Sequence, residues 1–433
     1  MTEKSPINIG LLGLGVVGSG VADILINQRE ILAQKSGIDI NLSGVAVRDK
    51  TKSRTVKINP DLITENPSKL INNPEIDIIV ELIGGEEPAL NYILESISNN
   101  KHVVSANKEV IAKHGSKIFK LANKKHVDIS YEASVAGGTP IIGPLSNELV
   151  SNEILSIRGI INGTTNYILT KMDQEGADLE TTLSQAQKLG YAEADPTNDI
   201  EGFDARYKIA ILSSLSFRKK IPLDSIFCEG ITKLHPLDFI YAKELGYSIK
   251  LLAIANNGEN GIQIRVHPTM LPTNHPLANI SGVLNAVEVE TDLIGKVMFH
   301  GAGAGAKPTS SAVIADIIKT SHAIQSTSYT SSPSFDATVN STITSIDDLI
   351  TNYYLRVNVI EKPGVFAQIA KLIGDLDISI SSAIQKQTDE ADMTAEIVFM
   401  THKAKESSMI KAIKNMNNLD VVNYVGSLIR VEE

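Results

Sequence analysis

Asp204 and Lys208, four positions apart, follow a run that carries Asp195, Asp199 and Glu201. On a helix this spacing places both on one face, with the acidic loop at the helix entrance. Carboxylates suit the ammonium group of an amino-acid substrate. Adding a hydride to an aldehyde builds negative charge on its oxygen, and a nearby lysine can stabilise that charge and supply the proton. Taken alone, a pair at this spacing is more often an exposed ion pair, so the chemistry needs support from the rest of the chain.

A second group of residues supplies it. Gly13-Leu14-Gly15-Val16-Val17-Gly18 follows the apolar run Ile7–Leu12 and precedes a helical pattern. In that context Gly13 permits a tight turn, Gly15 lets the backbone approach a pyrophosphate, and Gly18 allows close packing of helix on strand. The helix start at Val16 and Val17 offers free N–H groups and a positive dipole end to phosphates. Where NAD-binding chains usually place an acid, the second strand here ends in Val47-Arg48-Asp49-Lys50. Arg48 suits a 2′-phosphate and so favours NADP(H) over NAD(H). The competing reading gives the ribose to Asp49 and leaves the basic residues solvated.

The elements that must position these groups follow from pattern and composition. At 433 residues, the chain is expected to form two or three packed units. With 42% hydrophobic and 21% charged residues and a net charge of −10, it reads as a globular protein with a small-molecule substrate, not a nucleic acid, as its partner. The single cysteine, Cys228, excludes an intrachain disulfide and suits a reducing compartment, hence the cytoplasm. The apolar run Ile7 to Ile26 is interrupted by Asn8, Asp23 and five glycines, which argues against a signal peptide or a membrane helix.

In the first third, the expected strands are Ile7–Leu12, Asn41–Val47, Asp77–Ile83, His102–Val104 and Val127–Tyr131. Helices are expected over Val16–Gln34, Ala89–Asn99 and Lys108–Lys124. This is an α/β pattern, a doubly wound parallel sheet. An α+β stretch follows, with helices at Leu179–Leu189 and Phe203–Phe217 and strands at Ile249–Ala255 and Gly261–His267. A glycine-rich turn Gly301–Gly305 and an apolar helix Ser310–Lys319 return to the first domain. Residues 321 to 345, rich in Ser and Thr, read as a solvated linker, and a βαββαβ rhythm closes the chain.

The segment from Ala186 to Lys208, with Gly190, Glu193, Asp195, Pro196, Asp199, Gly202 and Asp204 in fixed spacing, resembles the signature of homoserine dehydrogenases. Ser105-Ala106-Asn107-Lys108, Tyr131 to Pro140, Gly159 to Asn166 and Gly301 to Gly305 resemble further stretches of that family, in its order. The resemblance implies interconversion of L-homoserine and L-aspartate 4-semialdehyde, with Lys208 as general acid in reduction and base in oxidation. Glu193 and Asp204 would bind or orient the substrate amino group, and Asp199 is a weaker candidate. Lys108 would reach nicotinamide and substrate. Ser105, Gly190 and Gly305 would line the cofactor. Glu132, Val135, Gly137 and Thr139 match a family site for a monovalent cation such as sodium, held by the carboxylate and three backbone carbonyls. A strand-end turn without an ion is an equal alternative. A homo-oligomer is the family expectation.

Residues Tyr354 to Ile380 resemble the opening of an ACT domain, with Pro363-Gly364 before an amphipathic helix. Gly364 would leave helix N–H groups open to an amino-acid carboxylate, and Glu361 stands where that family often has Asp. The alternative is a dimerisation module with no effector. By resemblance the effector is L-threonine.

The expected domains are therefore a Rossmann-type dinucleotide-binding domain over 1–140 plus about 301–320, and a substrate and dimerisation domain over 141–300. A linker over 321–350 and an ACT-like domain over 351–433 complete the chain. Separated by that linker, the last domain is expected to be dispensable for chemistry. The rival functions are another amino-acid dehydrogenase and a non-catalytic sensor, which would not need Lys208.

Overall fold

Near-continuous apolar strands need both faces covered, and six of them form a parallel sheet here. The computed structural model describes residues 5–326, 342–389 and 393–432. The chain divides into two compact units: Met1–Ile157 with Tyr207–Leu223 and Asn285–Asn340, and Arg158–Arg206 with Asp224–Leu284 and Ser341–Glu433.

In the first unit the parallel strands lie in the order Ile63–Thr64, Ile40–Ala46, Ile7–Leu12, Ile78–Glu81, His102–Ser105, Ile129–Ser130. The chain leaves Ile7–Leu12 first to one side and later to the other, which opens a crevice at the carboxyl ends of these strands. Alternation along the strands divides the core. Ile9, Leu11, Ile78 and Val80 pack with Val21, Leu25, Val313 and Ile317 from two helices on one face. Leu12, Ala46 and Ile79 pack with Leu70 and Ile71 on the other.

Two helices differ from the sequence expectation. The first helix breaks at Gln28 into Val16–Asn27 and Arg29–Ser36. Arg29 there pairs with Asp39 at 2.7 Å and donates to Asn41 at 3.0 Å, which ties the second piece to the start of the next strand. The apolar helix is longer than expected, Ala306–Gln325, and takes in Ser321, whose buried hydroxyl donates to the Ile317 carbonyl at 2.7 Å. Most of the expected linker, residues 327–341, lies outside the described residues. No helix among the described residues is long and apolar enough to cross a membrane.

In the second unit, the strand Gly261–Pro272 pairs antiparallel with Tyr247–Gly258 along one edge. Its other edge takes two parallel partners in succession, Phe227–Cys228 at Arg265 and Val266, and Val422–Val431 at Thr269 and Met270. The βαββαβ rhythm is present as Ile350–Ile360, Val365–Gly374, Ile380–Asp389, Thr394–Thr401, Glu406–Met416 and Val422–Val431. It has its own core of Leu355, Val357, Ile369, Phe399, Met409 and Met416. Far from standing apart, this C-terminal module continues the sheet of the substrate region through its last strand.

Candidate active site

Each glycine of the phosphate loop has a separate reason to be glycine. Gly13 has φ +99°, and a Cβ on it would stand 2.7 Å from the Leu82 carbonyl oxygen. A Cβ on Gly18 would stand 2.1 Å from the Gly13 carbonyl oxygen, whereas Gly15 faces open space. Turn, packing and close approach are thus distributed as a pyrophosphate site requires. Gly15 is the N-cap of Val16–Asn27, and no acid stands in that first turn to oppose a phosphate.

From the loop a groove of about 690 Å³ extends past Val47, Arg48, Asp49 and Lys52. Asp49 turns back on its own loop and accepts from the Thr51 N–H at 2.7 Å and hydroxyl at 2.6 Å, and these bonds hold its carboxyl below the usual range. Arg54 is tied to the carbonyls of Asp49 and Lys52. Arg48 is exposed and makes no hydrogen bond or ion pair among the described residues. The groove has room for the adenosine half of a dinucleotide, and the Arg48 guanidinium is on its wall.

Farther along the crevice, Ser105 ends its strand and donates to the Glu81 carboxylate at 2.7 Å, while its own oxygen accepts from the Asn107 N–H at 3.0 Å. Glu81 also accepts from the Ile83 N–H at 2.8 Å. Burial pushes its carboxyl up, and these hydrogen bonds oppose the shift. Asn107 caps the helix Lys108–Lys125 by accepting from the Val110 N–H at 3.1 Å and donates to the Gly85 carbonyl at 2.8 Å. Lys108 therefore leaves the sheet from a backbone fixed on both sides. The sequence reading missed Glu81; the available signal was a lone carboxylate inside an apolar run.

In the same unit, the Lys113 ammonium lies 5.8 Å from the Tyr207 ring, which sets the helix beginning at Lys108 against the one that carries Lys208. Gly305, with φ +113°, begins Ala306–Gln325.

The loop at Glu132 treats its groups unequally. The Glu132 carboxylate accepts three backbone N–H groups, from Ile141, Ile142 and Gly143, at 2.6 to 2.9 Å. The carbonyls of Val135, Gly137 and Thr139, all buried residues, accept no hydrogen bond among the described residues. Buried carbonyls without donors suit a hard cation, and the Glu132 carboxylate keeps acceptor capacity beyond its three N–H bonds. Among the described residues no group of three or more His, Cys, Asp or Glu could hold a metal.

The acids expected to meet the substrate belong to the second unit, where Asn162 links two of them. Its side-chain amide donates to Asp199 at 2.7 Å and to Asp204 at 2.9 Å, while its oxygen caps the helix Gly163–Glu175 by accepting from the Thr165 N–H at 2.8 Å. Asp204 is buried and begins the helix Phe203–Ser216, with half-buried Lys208 one turn further on. Glu193 is exposed, on a loop secured by the Thr164 hydroxyl donating to the Tyr191 carbonyl at 2.6 Å. Gly190, with φ +76°, has open space where a side chain would go. The structure thus joins Asp199 to Asp204 and leaves Glu193 on the surface of its loop. Asn162 lay inside a family-like stretch without being singled out. Burial pushes the Cys228 thiol up to about 11, away from the thiolate form that a nucleophile needs.

A glycine-rich loop at the switch point of a parallel sheet, opening on a groove at the carboxyl ends of its strands, marks a dinucleotide-binding enzyme. The comparisons narrow the class. The sequence matches the family models "Homoserine dehydrogenase, NAD binding domain" over residues 13–132, "Homoserine dehydrogenase" over 140–318, and "ACT domain" over 353–420. It is 43% identical to a homoserine dehydrogenase of Neisseria gonorrhoeae over 99% of both chains. A crystal structure of a homoserine dehydrogenase from Thiobacillus denitrificans superimposes with TM-score 0.92 at 42% identity, covering 99% of each chain. A hyperthermophilic archaeal homoserine dehydrogenase in complex with NADPH gives TM-score 0.61 at 28% identity, covering 73% of this chain and 98% of that one. The chain belongs to the homoserine dehydrogenase family and is an NAD(P)-dependent oxidoreductase with an ACT domain.

Proposed function

We propose that the enzyme reduces L-aspartate 4-semialdehyde to L-homoserine with NADPH in preference to NADH, using Lys208 as the acid and base. The observation that carries this is the Asn162 amide, which holds Asp199 and Asp204 together at the start of the helix that bears Lys208. When bound, NADP(H) supplies or accepts the hydride at the carbon that bears the oxygen. Asp204 and Asp199, with Glu193 from its loop, bind and orient the substrate ammonium. Lys208 gives its proton to the aldehyde oxygen as the hydroxyl forms, and takes it back in oxidation. Lys108, at the head of its helix, adds positive charge beside nicotinamide and substrate. Ser105, Gly190 and Gly305 line the cofactor.

Arg48 binds the 2′-phosphate, supported by its lack of any protein partner and by the inward turn of Asp49. A monovalent cation such as sodium sits on the Glu132 carboxylate and the carbonyls of Val135, Gly137 and Thr139. The ACT domain binds L-threonine and lowers activity from there. The protein works as a homo-oligomer in the cytoplasm, a reading supported by the family resemblance and, for the compartment, by its single cysteine. The test is NADPH oxidation by the purified full chain on addition of aspartate 4-semialdehyde. Turnover of that substrate with product homoserine supports the reading, and turnover only with another amino-acid aldehyde overturns it.

A further inference from the structure

Arg430, in the last strand of the C-terminal module, is almost completely buried and paired on two sides. Its Nε and Nη2 donate to the Glu406 carboxylate at 2.9 and 2.5 Å, and its Nη1 donates to Glu229 at 2.8 Å. Glu406 belongs to the module and Glu229 to the substrate region. The meeting is dictated by the sheet: Phe227–Cys228 and Val422–Val431 occupy successive positions on one edge of Gly261–Pro272, so the residue after the first strand faces the end of the second. The Arg430 guanidinium also lies 4.8 Å from the Phe227 ring.

Glu229 begins a short brace. Its N–H donates to the Val266 carbonyl at 2.8 Å, and two residues later the Ile231 N–H donates to the Ile200 carbonyl at 2.8 Å. Cys228 Sγ donates to the Glu201 carbonyl at 3.3 Å. Between them Gly230 is pressed so close that a Cβ would stand 2.1 Å from the Ile200 oxygen. The braced residues, Ile200 to Gly202, join Asp199 to the helix that begins before Asp204. A shift of the Glu229 loop therefore moves the turn that presents both acids to Asn162.

We propose that Arg430 is a positioning residue for the substrate acids, acting through Glu229 and the Cys228–Ile231 brace, so that the C-terminal module helps to shape the substrate site even with no effector bound. This rests on the reading of Asp199 and Asp204 as substrate ligands. A planar guanidinium is required because one group must serve two carboxylates in fixed directions, which a lysine ammonium does not do.

The test uses the full chain with Glu229→Ala, Glu229→Gln and Arg430→Lys. Glu229 is partly exposed, and in its variants Arg430 keeps Glu406, so the fold is retained. Glu229→Ala is expected to raise the homoserine KM about fivefold or more, the lower end of ordinary site-to-site coupling, and to leave the NADP KM within about twofold. Glu229→Gln, which can still accept from Arg430, recovers most of the loss; Arg430→Lys resembles Glu229→Ala. Homoserine and NADP KM values both unchanged in folded Glu229→Ala would overturn the proposal, as would an equal rise in the two. Asp204→Ala separates the two readings. If it impairs homoserine binding and Glu229→Ala does not, only the relay fails. If Asp204→Ala binds homoserine normally, the substrate reading itself fails.

Discussion

Arg356 of the C-terminal module donates its Nε to the Asp238 carboxylate at 2.7 Å, with 3% and 0% of the two side chains exposed. Asp238 also accepts from the Tyr354 hydroxyl at 3.0 Å, the Ser427 hydroxyl at 2.6 Å and the His235 N–H at 2.8 Å. It thereby completes the N-terminal capping box of the helix Pro236–Glu244. Three of its four donors come from the module. Replacing Arg356 by Met in the full chain leaves Asp238 and Glu396 buried without their cation, a loss of about 3–5 kcal/mol when one partner of a buried pair is removed. Urea unfolding of Arg356→Met against wild type measures it. By the same reasoning, cutting the chain after Ser345 should lower the midpoint of thermal unfolding of what remains, the reverse of a freely dispensable module.

This is where sequence and structure part. Periodicity placed both the parallel sheet and the βαββαβ module, because each buries its own apolar set. What it could not place was the edge pairing of Thr269 with Arg430 or the burial of Asp238, since a buried ion pair between residues more than a hundred positions apart leaves no local pattern. Similarly, Asp199 and Asp204 stood out in the sequence as an acidic loop before a helix, whereas the amide that joins them, Asn162, lay some forty residues away with nothing local to mark it. Glu81 was hidden in a different way, inside the expected apolar strand Asp77–Ile83.

Cofactor choice should depend on Arg48. Arg48→Ala is expected to raise the NADPH KM with little change in kcat, because a 2′-phosphate contact is felt equally in ground and transition states. The NADH constants should stay nearly constant, so the preference narrows. Steady-state rates with both cofactors decide it, and a wild-type kcat/KM higher for NADH would hand the ribose to Asp49.

Proton transfer should depend on Lys208. Lys208→Ala is expected to lower kcat by about 10²–10⁴, the usual contribution of a general acid or base, with cofactor binding intact by fluorescence titration. Near-normal turnover would remove Lys208 from the chemistry.

Asp316 gives a pH dependence whose sign can be worked out. Burial pushes its carboxyl up to about 7, against an ordinary value of 3.8, although the Glu132 N–H donates to it at 2.8 Å. Between those two values the folded protein holds a proton that the unfolded chain has lost. Stability from this group is thus full below the unfolded pKa and declines as pH rises through the window toward 7. Asp316→Asn keeps an oxygen for the Glu132 N–H and has nothing to titrate. Unfolding free energies from pH 4 to 8 should therefore fall less steeply in the variant than in wild type, and parallel curves would refute the assignment.

The last prediction concerns regulation. Gly364 has φ +89°, caps the helix Val365–Gly374, and has open space where a side chain would stand. The Val365 N–H turns to the Lys362 carbonyl at 3.4 Å, which leaves the Phe366 and Ala367 N–H groups of the first turn for an amino-acid carboxylate. Allostery requires threonine to bind two states of the enzyme with different affinity, and the buried links from Arg356 and Arg430 give the module a rigid connection through which that difference can be felt. Threonine is accordingly expected to inhibit the full chain without simple competition against homoserine. Gly364→Val strains the left-handed cap and fills the opening. It should weaken inhibition at least about tenfold, a modest coupling loss, while the uninhibited rate stays near wild type. The measurement is a threonine titration of both proteins at several homoserine concentrations. Equal inhibition of the two would locate the effector outside this cap, and inhibition of neither would leave the module with a structural role in the substrate region alone.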